Sequence, residues 1–280
     1  MVDAEFLRNI PTGFIVMLGS ATIARGGIMQ QATPEPGART LTYEGASTIG
    51  TKIMPEAAKL FAARTGVRFS HVGNAGADAG YRAAEERRVN LGGVARELTP
   101  EEKAKVGGAV VIGYDAMGVF VHSKNPVKAL TRAQLKEIFA GRATNWKAFG
   151  GPDKAITVYS EKLTGGRATV KAFKDMVLSS DSYGPVKELD DATDCIQEVA
   201  ADEAGITASS MSFAIPGVSA LAVDGAPPTT PAVQDGSYPL KRPLILVTKD
   251  PPSGDVKAFL DFMLTPEAQA IVAKKFVAAK

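Results

Sequence analysis

The stretch KLTGGRAT (162–169) lies between a β-type run, AITVYS (155–160), and a helix-type run, VKAFKDMVL (170–178). A glycine pair followed by Arg167 at a strand-to-helix turn has the makings of an anion cradle. Glycine lets the backbone approach a ligand closely. A helix start adds free N–H groups and a partial positive charge. Lys162 and Arg167 are the cations at hand. Arg167 either forks onto an oxyanion or stands as a solvated helix-start residue. Other chemistries are poorly supplied. His71 and His122 stand far apart, which argues against a histidine metal site or a Ser-His-Asp engine. The single cysteine, Cys195, excludes an internal disulfide and a cysteine-rich zinc site, and reads as a small buried hydrophobe. There is no P-loop, and nothing in the spacing of Asp78 and Glu97 demands a catalytic carboxylate pair. An enzyme is therefore not expected, nor a metal or a cofactor.

These residues need a frame. The chain has 280 residues, 45% hydrophobic and 22% charged, an ordinary composition with room for real cores. A net charge of +2 gives no preference for polyanions, so nucleic acid is not an expected partner. Strand-like TLTYEG (40–45), VRFSHV (67–72) and VNLGGVA (89–95) alternate with helical runs at 52–65 and 77–88. Such alternation predicts parallel sheet covered by helices. The β-type run 109–123 is long enough to pass from one lobe to another. A helix follows at 131–141, with Thr131 and Gln134 spaced as a capping box and Gly141 as its stop. Then come a helix at 193–202, strands at 204–213 and 242–249, and two helices over 253–277. Two α/β lobes around a cleft are the expectation. At the start, the apolar run 10–24 has signal-peptide length and falls short of the roughly 20 residues of a membrane span. Residues 1–24 are expected to be a signal peptide or an N-terminal anchor, and the Gly-, Pro- and Gln-rich 25–39 a linker.

The segment NPVKALTRAQLKEIFAGRATNWKAFGG (125–151) resembles a run found in the PstS-like phosphate-binding components of bacterial ABC importers. YEGASTIG (43–50), GGVARELTPEE (92–102), YPLKRPLILVTK (238–249) and FLDFMLTPEAQAIV (259–272) support the resemblance in the right order. It implies a two-lobe periplasmic binding protein-like fold. Each lobe would be a mainly parallel sheet flanked by helices, with the ligand cleft between them. On this reading 40–115 and 216–280 form one lobe and 116–215 the other. Trp146 would be structural, because the family keeps it away from the ligand.

The resemblance also implies four ligand loops. The first is Gly45 to Ile49, where Ser47 and Thr48 hydroxyls and the N–H groups up to Ile49 face the anion or simply cap a helix. In the second, Ala77 takes the family's serine position and Asp78 a glycine position, as an N-cap or as a misplaced negative charge. In the third, Ala95 replaces serine, and Arg96 stands where some members have a proton-accepting aspartate. In the fourth, Ser160 takes the place of the usual arginine, and Thr164, Gly165 and Gly166 fall near the family's Ser-Gly-Thr, with Arg167 next. Three loops thus lack a side-chain donor or charge. Each lost bond to a charged ligand is worth roughly 1.5–3 kcal/mol. The expected function is an exported, periplasmic or extracellular binding protein for phosphate or a related small oxyanion. Its partners would be that anionic ligand and the membrane subunits of an ABC importer. The alternatives are a binding-protein fold turned into a non-transport interaction or structural module, and a chain held at the membrane by 10–24.

Overall fold

The computed structural model describes residues 39–279. The expectations for 1–24, and for all but the last residue of the 25–39 linker, lie outside the described residues. The strands are β1 (Thr40–Gly45), β2 (Arg68–Val72), β3 (Leu91–Val94), β4 (Gly108–His122), β5 (Ala129–Leu130), β6 (Thr157–Glu161), β7 (Lys187–Leu189), β8 (Gly205–Ser210), β9 (Val218–Ala220), β10 (Ala222–Val223), β11 (Lys241–Thr248) and β12 (Val277–Ala278). The helices are α1 (Ser47–Lys52), α2 (Met54–Thr65), α3 (Ala77–Glu85), α4 (Pro100–Lys105), α5 (Arg132–Phe139), α6 (Ala168–Phe173), α7 (Ala192–Ala201), α8 (Thr230–Gln234), α9 (Gly254–Met263) and α10 (Pro266–Ala273).

One strand joins the two halves of the main sheet, and β5 and β10 pair separately. The first part of β4 pairs antiparallel with β11, from Thr248 opposite Gly108 to Lys241 opposite Ala116. Its last part pairs with β8, from Met117 opposite Ser210 to Val121 opposite Ile206. Around the first part lies the order β2-β1-β3-β11, with β1 parallel to both neighbours. Around the second lies β8-β6-β7, all parallel. The parallel parts need crossover helices, which α1 to α3 and α6 to α7 supply. Each half carries its own apolar cluster. In one, Phe61 meets Phe259 edge-on at 5.1 Å beneath Ile49 and Leu244. In the other, Phe139 lies 4.4 Å from Phe173, and the buried Trp146 donates from its indole N–H to the Ala204 carbonyl. The fold is the expected mixed α/β two-lobe type.

Two local differences matter. The helix expected at 52–65 is preceded by a separate turn of helix, α1, whose start lies at the end of β1. Pro55 opens the second helix, in the first turn where its missing N–H costs nothing. The helix expected at 170–178 begins earlier, at Ala168, and continues after Phe173 as a wider π-type turn to Leu178. That start brings Thr169 into the first turn.

Candidate anion site between the lobes

Three helices begin at the same place. The starts of α1 (Ala46, Ser47, Thr48) and α6 (Arg167, Ala168, Thr169), together with Gly76 before α3, line a small pocket of about 10 Å3 that also takes in Glu161. None of these three helices has a side chain accepting from its first-turn N–H groups. Elsewhere Thr99, Thr131, Asp191 and Thr265 cap α4, α5, α7 and α10 in the ordinary way, while α2, α8 and α9 also lack a side-chain cap. So Ser47 and Thr48 are not spent on capping, and the starts of α1 and α6 meet at one pocket. Close packing brings the starts together. A Cβ on Gly80 of α3 would run into Gly45 at the end of β1, so only glycine lets that helix lie so near the loop.

Directly behind the pocket lies Arg242 of β11, buried with Asp115 of β4. Its Nε donates to the Asp115 carboxylate at 2.9 Å, Nη1 to the Thr169 hydroxyl at 3.2 Å and Nη2 to the Thr48 hydroxyl at 3.5 Å. One guanidinium thus reaches a pocket hydroxyl on each side of the cleft. Ser210 donates to the other Asp115 oxygen at 2.7 Å, and its own hydroxyl pairs with Ser212. Burial raises the Asp115 pKa, while Arg242 and Ser210 oppose the rise. Glu161 is the unusual member. Burial raises its pKa, and the Thr169 hydroxyl and the charges of Arg242 and Arg167 pull it back. A carboxyl so placed either carries a proton or accepts one from whatever occupies the pocket.

The residues singled out by sequence divide into two groups. Ser47, Thr48 and Arg167 line the pocket. Arg167 also donates to the Asp190 carbonyl at 2.9 Å. Ile49 and Ala77 are fully buried in the first apolar cluster behind it. Ser160 is buried, but its hydroxyl donates to the Glu161 carbonyl, and the pocket side chain is its neighbour Glu161. Thr164 and Gly166 line an open groove of about 540 Å3 next to the pocket, and Gly165 packs over the Arg167 stem. The α6 start therefore uses Arg167, Ala168 and Thr169, three residues beyond Thr164–Gly166. Asp78 is not an N-cap, because that position is Gly76. Its carboxylate accepts from Arg96 at 2.7 Å. Arg96 itself is enclosed: it donates to Asp78, to both oxygens of Glu102 and to the Glu97 carbonyl. All five of its N–H groups are taken, so it has none for a ligand. Arg242, Asp115, Thr169 and Ser210 escaped the sequence reading. The hydroxyl of Thr169 was the one accessible signal, had the helix start been placed at Ala168.

A model of a PBP superfamily domain matches residues 30–267. The phosphate-binding protein PstS of Bacillus subtilis (strain 168) is 26% identical over 243 residues, spanning 84% of this chain and 78% of that protein. A Clostridium perfringens protein, described as a phosphate ABC transporter substrate-binding protein and solved with bound phosphate, is 32% identical. It matches with a TM-score of 0.79 over 86% of this chain and 100% of its own. An ABC-type phosphate transport receptor from Vibrio cholerae shares the fold at 21% identity, with a TM-score of 0.73 over 85% of this chain and 99% of its own. The chain belongs to the PBP superfamily and is a PstS-like protein.

Proposed function

We propose that this protein binds phosphate, or a closely related tetrahedral oxyanion, between its lobes and delivers it to the membrane subunits of an ABC importer outside the cytoplasm. The observation that carries this reading is the meeting of three uncapped helix starts with Arg242 on one pocket. In the bound state the N–H groups of α1 and α6 and the Ser47, Thr48 and Thr169 hydroxyls donate to the anion. Arg242 supplies positive charge from behind. Glu161, ionised, accepts the proton of a partly protonated ligand, a contact that a fully ionised sulfate cannot return. The reaction is binding and release, with no bond made or broken. The lobes divide near 115/116 and 215/216, a division supported by the change of partner along β4 from β11 to β8. Among the described residues no helix is long and apolar enough to cross a membrane, so export is argued from the relatives. A Glu161 carboxyl in an anion pocket favours the other reading, a retained fold with a weakened site and no transport role.

A thermal-shift titration of the full chain, stripped of bound anions, separates the two. Phosphate at a hundred times its dissociation constant stabilises by about 2.7 kcal/mol, a rise of several degrees in midpoint at this size. A rise with phosphate and none with sulfate is the expected result. No rise with phosphate, sulfate, arsenate or molybdate at millimolar concentration overturns the transport reading in favour of the second.

A further inference from the structure

Helix α1 brings Ser47 and Thr48 to the pocket at its start and ends, only six residues long, at Lys52. A helix that short does not hold its own position and depends on packing. On one side it is pinned by Ile49 and by Ile53 just past its end, both fully buried in the first apolar cluster. On the other, the Lys52 ammonium lies over the Phe213 ring, 4.4 Å from its centroid. Phe213 closes the turn of 3-10 helix Met211–Phe213 that follows β8, and Met211 of the same turn packs on the second apolar cluster. The stack therefore ties α1, in one half of the molecule, to a turn in the other. Lys52 and Phe213 are both partly buried, and shielding from water strengthens the attraction of an ammonium for a ring face. Lys52 also stands in the last turn of α1, where the partial negative charge of the helix end favours a cation.

The turn that carries Phe213 belongs to the support of Arg242. The Ser212 N–H donates to the Ser210 hydroxyl at 3.1 Å, and that hydroxyl donates to Asp115 at 2.7 Å. Asp115 accepts from Arg242 at 2.9 Å, and Arg242 reaches back to the Thr48 hydroxyl at 3.5 Å. The contacts close a circuit from Thr48 through Arg242, Asp115, Ser210 and Phe213 to Lys52, and back along α1. The bond to Thr48 is the longest in it, and a hydrogen bond of that length is weak. Without the stack, that weak bond is what remains in the circuit to link α1 with the Arg242 group.

Resting on the oxyanion reading of the pocket, we propose that Lys52 is a positioning residue for the anion: stacked on Phe213, it holds α1 between the two halves, so that Ser47 and Thr48 meet the ligand in a fixed place. Lys52 does not itself line the pocket.

The test is calorimetric titration of the full chain with inorganic phosphate, at low and at high salt, on Lys52→Met, Phe213→Leu, the double variant and Lys52→Arg. Methionine keeps the stem and removes the ammonium, and leucine keeps apolar bulk and removes the ring face. Each of these two changes is expected to weaken phosphate about three- to five-fold relative to wild type, by the same factor at both salts. The double variant is expected to be no weaker than either single one, since both remove one contact. Lys52→Arg, whose guanidinium also stacks on a ring, is expected to stay within about two-fold of wild type. If Phe213→Leu does not fold, Lys52→Met and Lys52→Arg at the two salts decide. A Lys52→Met loss that persists in the Phe213→Leu background, or that fades at high salt, overturns the inference, because the lysine would then act as a distant charge. Unchanged affinity in Lys52→Met, whatever its melting temperature, also overturns it, because the stack would then serve stability alone. Either failure leaves the oxyanion site standing. If wild type itself binds no phosphate, the pocket reading falls and this inference with it.

Discussion

Two buried arginines lie near the same cleft and differ in what surrounds them. Arg96 and Arg242 are each 2% exposed. Arg96 joins α3, through Asp78, to α4, through Glu102, and every donor is used at short range. Arg242 has one carboxylate partner, and its other contacts are to hydroxyls at 3.2 and 3.5 Å, one on each side of the pocket. The first is a saturated cross-link. The second is a cation with donors that a ligand could share. Burial and charge alone do not distinguish a structural arginine from a binding one; the number of donors left over does.

The largest effect that would sharpen this contrast is on Arg96. Arg96→Leu leaves Asp78 and Glu102 facing each other without their cation, and should lower stability by about 3–5 kcal/mol in urea unfolding. Any folded fraction should keep its phosphate affinity. A loss of affinity with stability intact would place Arg96 in the site and break the comparison. Next comes Arg242→Lys, which keeps the charge beside Asp115 and loses the fork. Phosphate binding should weaken by about ten- to a hundredfold, the equivalent of 1.5–3 kcal/mol. Thr169→Val should cost about 1 kcal/mol of binding by calorimetry, because it removes a single hydroxyl. An unchanged affinity in either variant would detach the pocket from ligand.

The smallest expected effect is in the pH profile. The folded pKa of Glu161 lies above its unfolded value, chiefly through burial. The folded state then holds more protons than the unfolded one between those two pKa values. The contribution is fully present below about 4.3, the ordinary glutamate pKa, and is lost as pH rises through the folded value. Glu161→Gln should flatten that part of the ligand-free stability curve. Glu102 behaves in the opposite sense. Burial pushes its carboxyl up, but the Arg96 contact and the Thr99 N–H bring it below the usual range. Its contribution is present above the ordinary glutamate pKa and lost as pH falls through the depressed value, so Glu102→Gln should flatten the acid limb instead. Curves unchanged in both variants would show that neither carboxyl titrates differently on folding.

Much of the frame was legible in the residues. Strand and helix runs at 40–45, 77–88, 131–141 and 242–249 carry strong local patterns, and the structure has elements there. The capping box of α5, with Thr131 and Gln134, is a four-residue signal that needs no tertiary context. The same signal at Thr99 and Glu102 announces α4, with Pro100 opening the helix, and was there to be read. Helix starts without a cap give no such mark. That is why the α6 start was expected at 170 rather than at Ala168, with Thr164, Gly165 and Gly166 as its ligand loop, and why Thr169 was overlooked.

The amino-acid sequence alone determined the fold type, the glycines that let loops approach each other, and the presence of hydroxyls and cations near strand ends. Period and turn chemistry are local properties, set within a few residues. Only the tertiary structure decided which buried arginine stands behind the pocket and reaches its hydroxyls. Arg242 and Asp115 are 127 positions apart and meet because β4 and β11 lie side by side. Arg96 and Arg242 look alike as letters. Their partners come from distant segments, and those partners decide which one has donors to give.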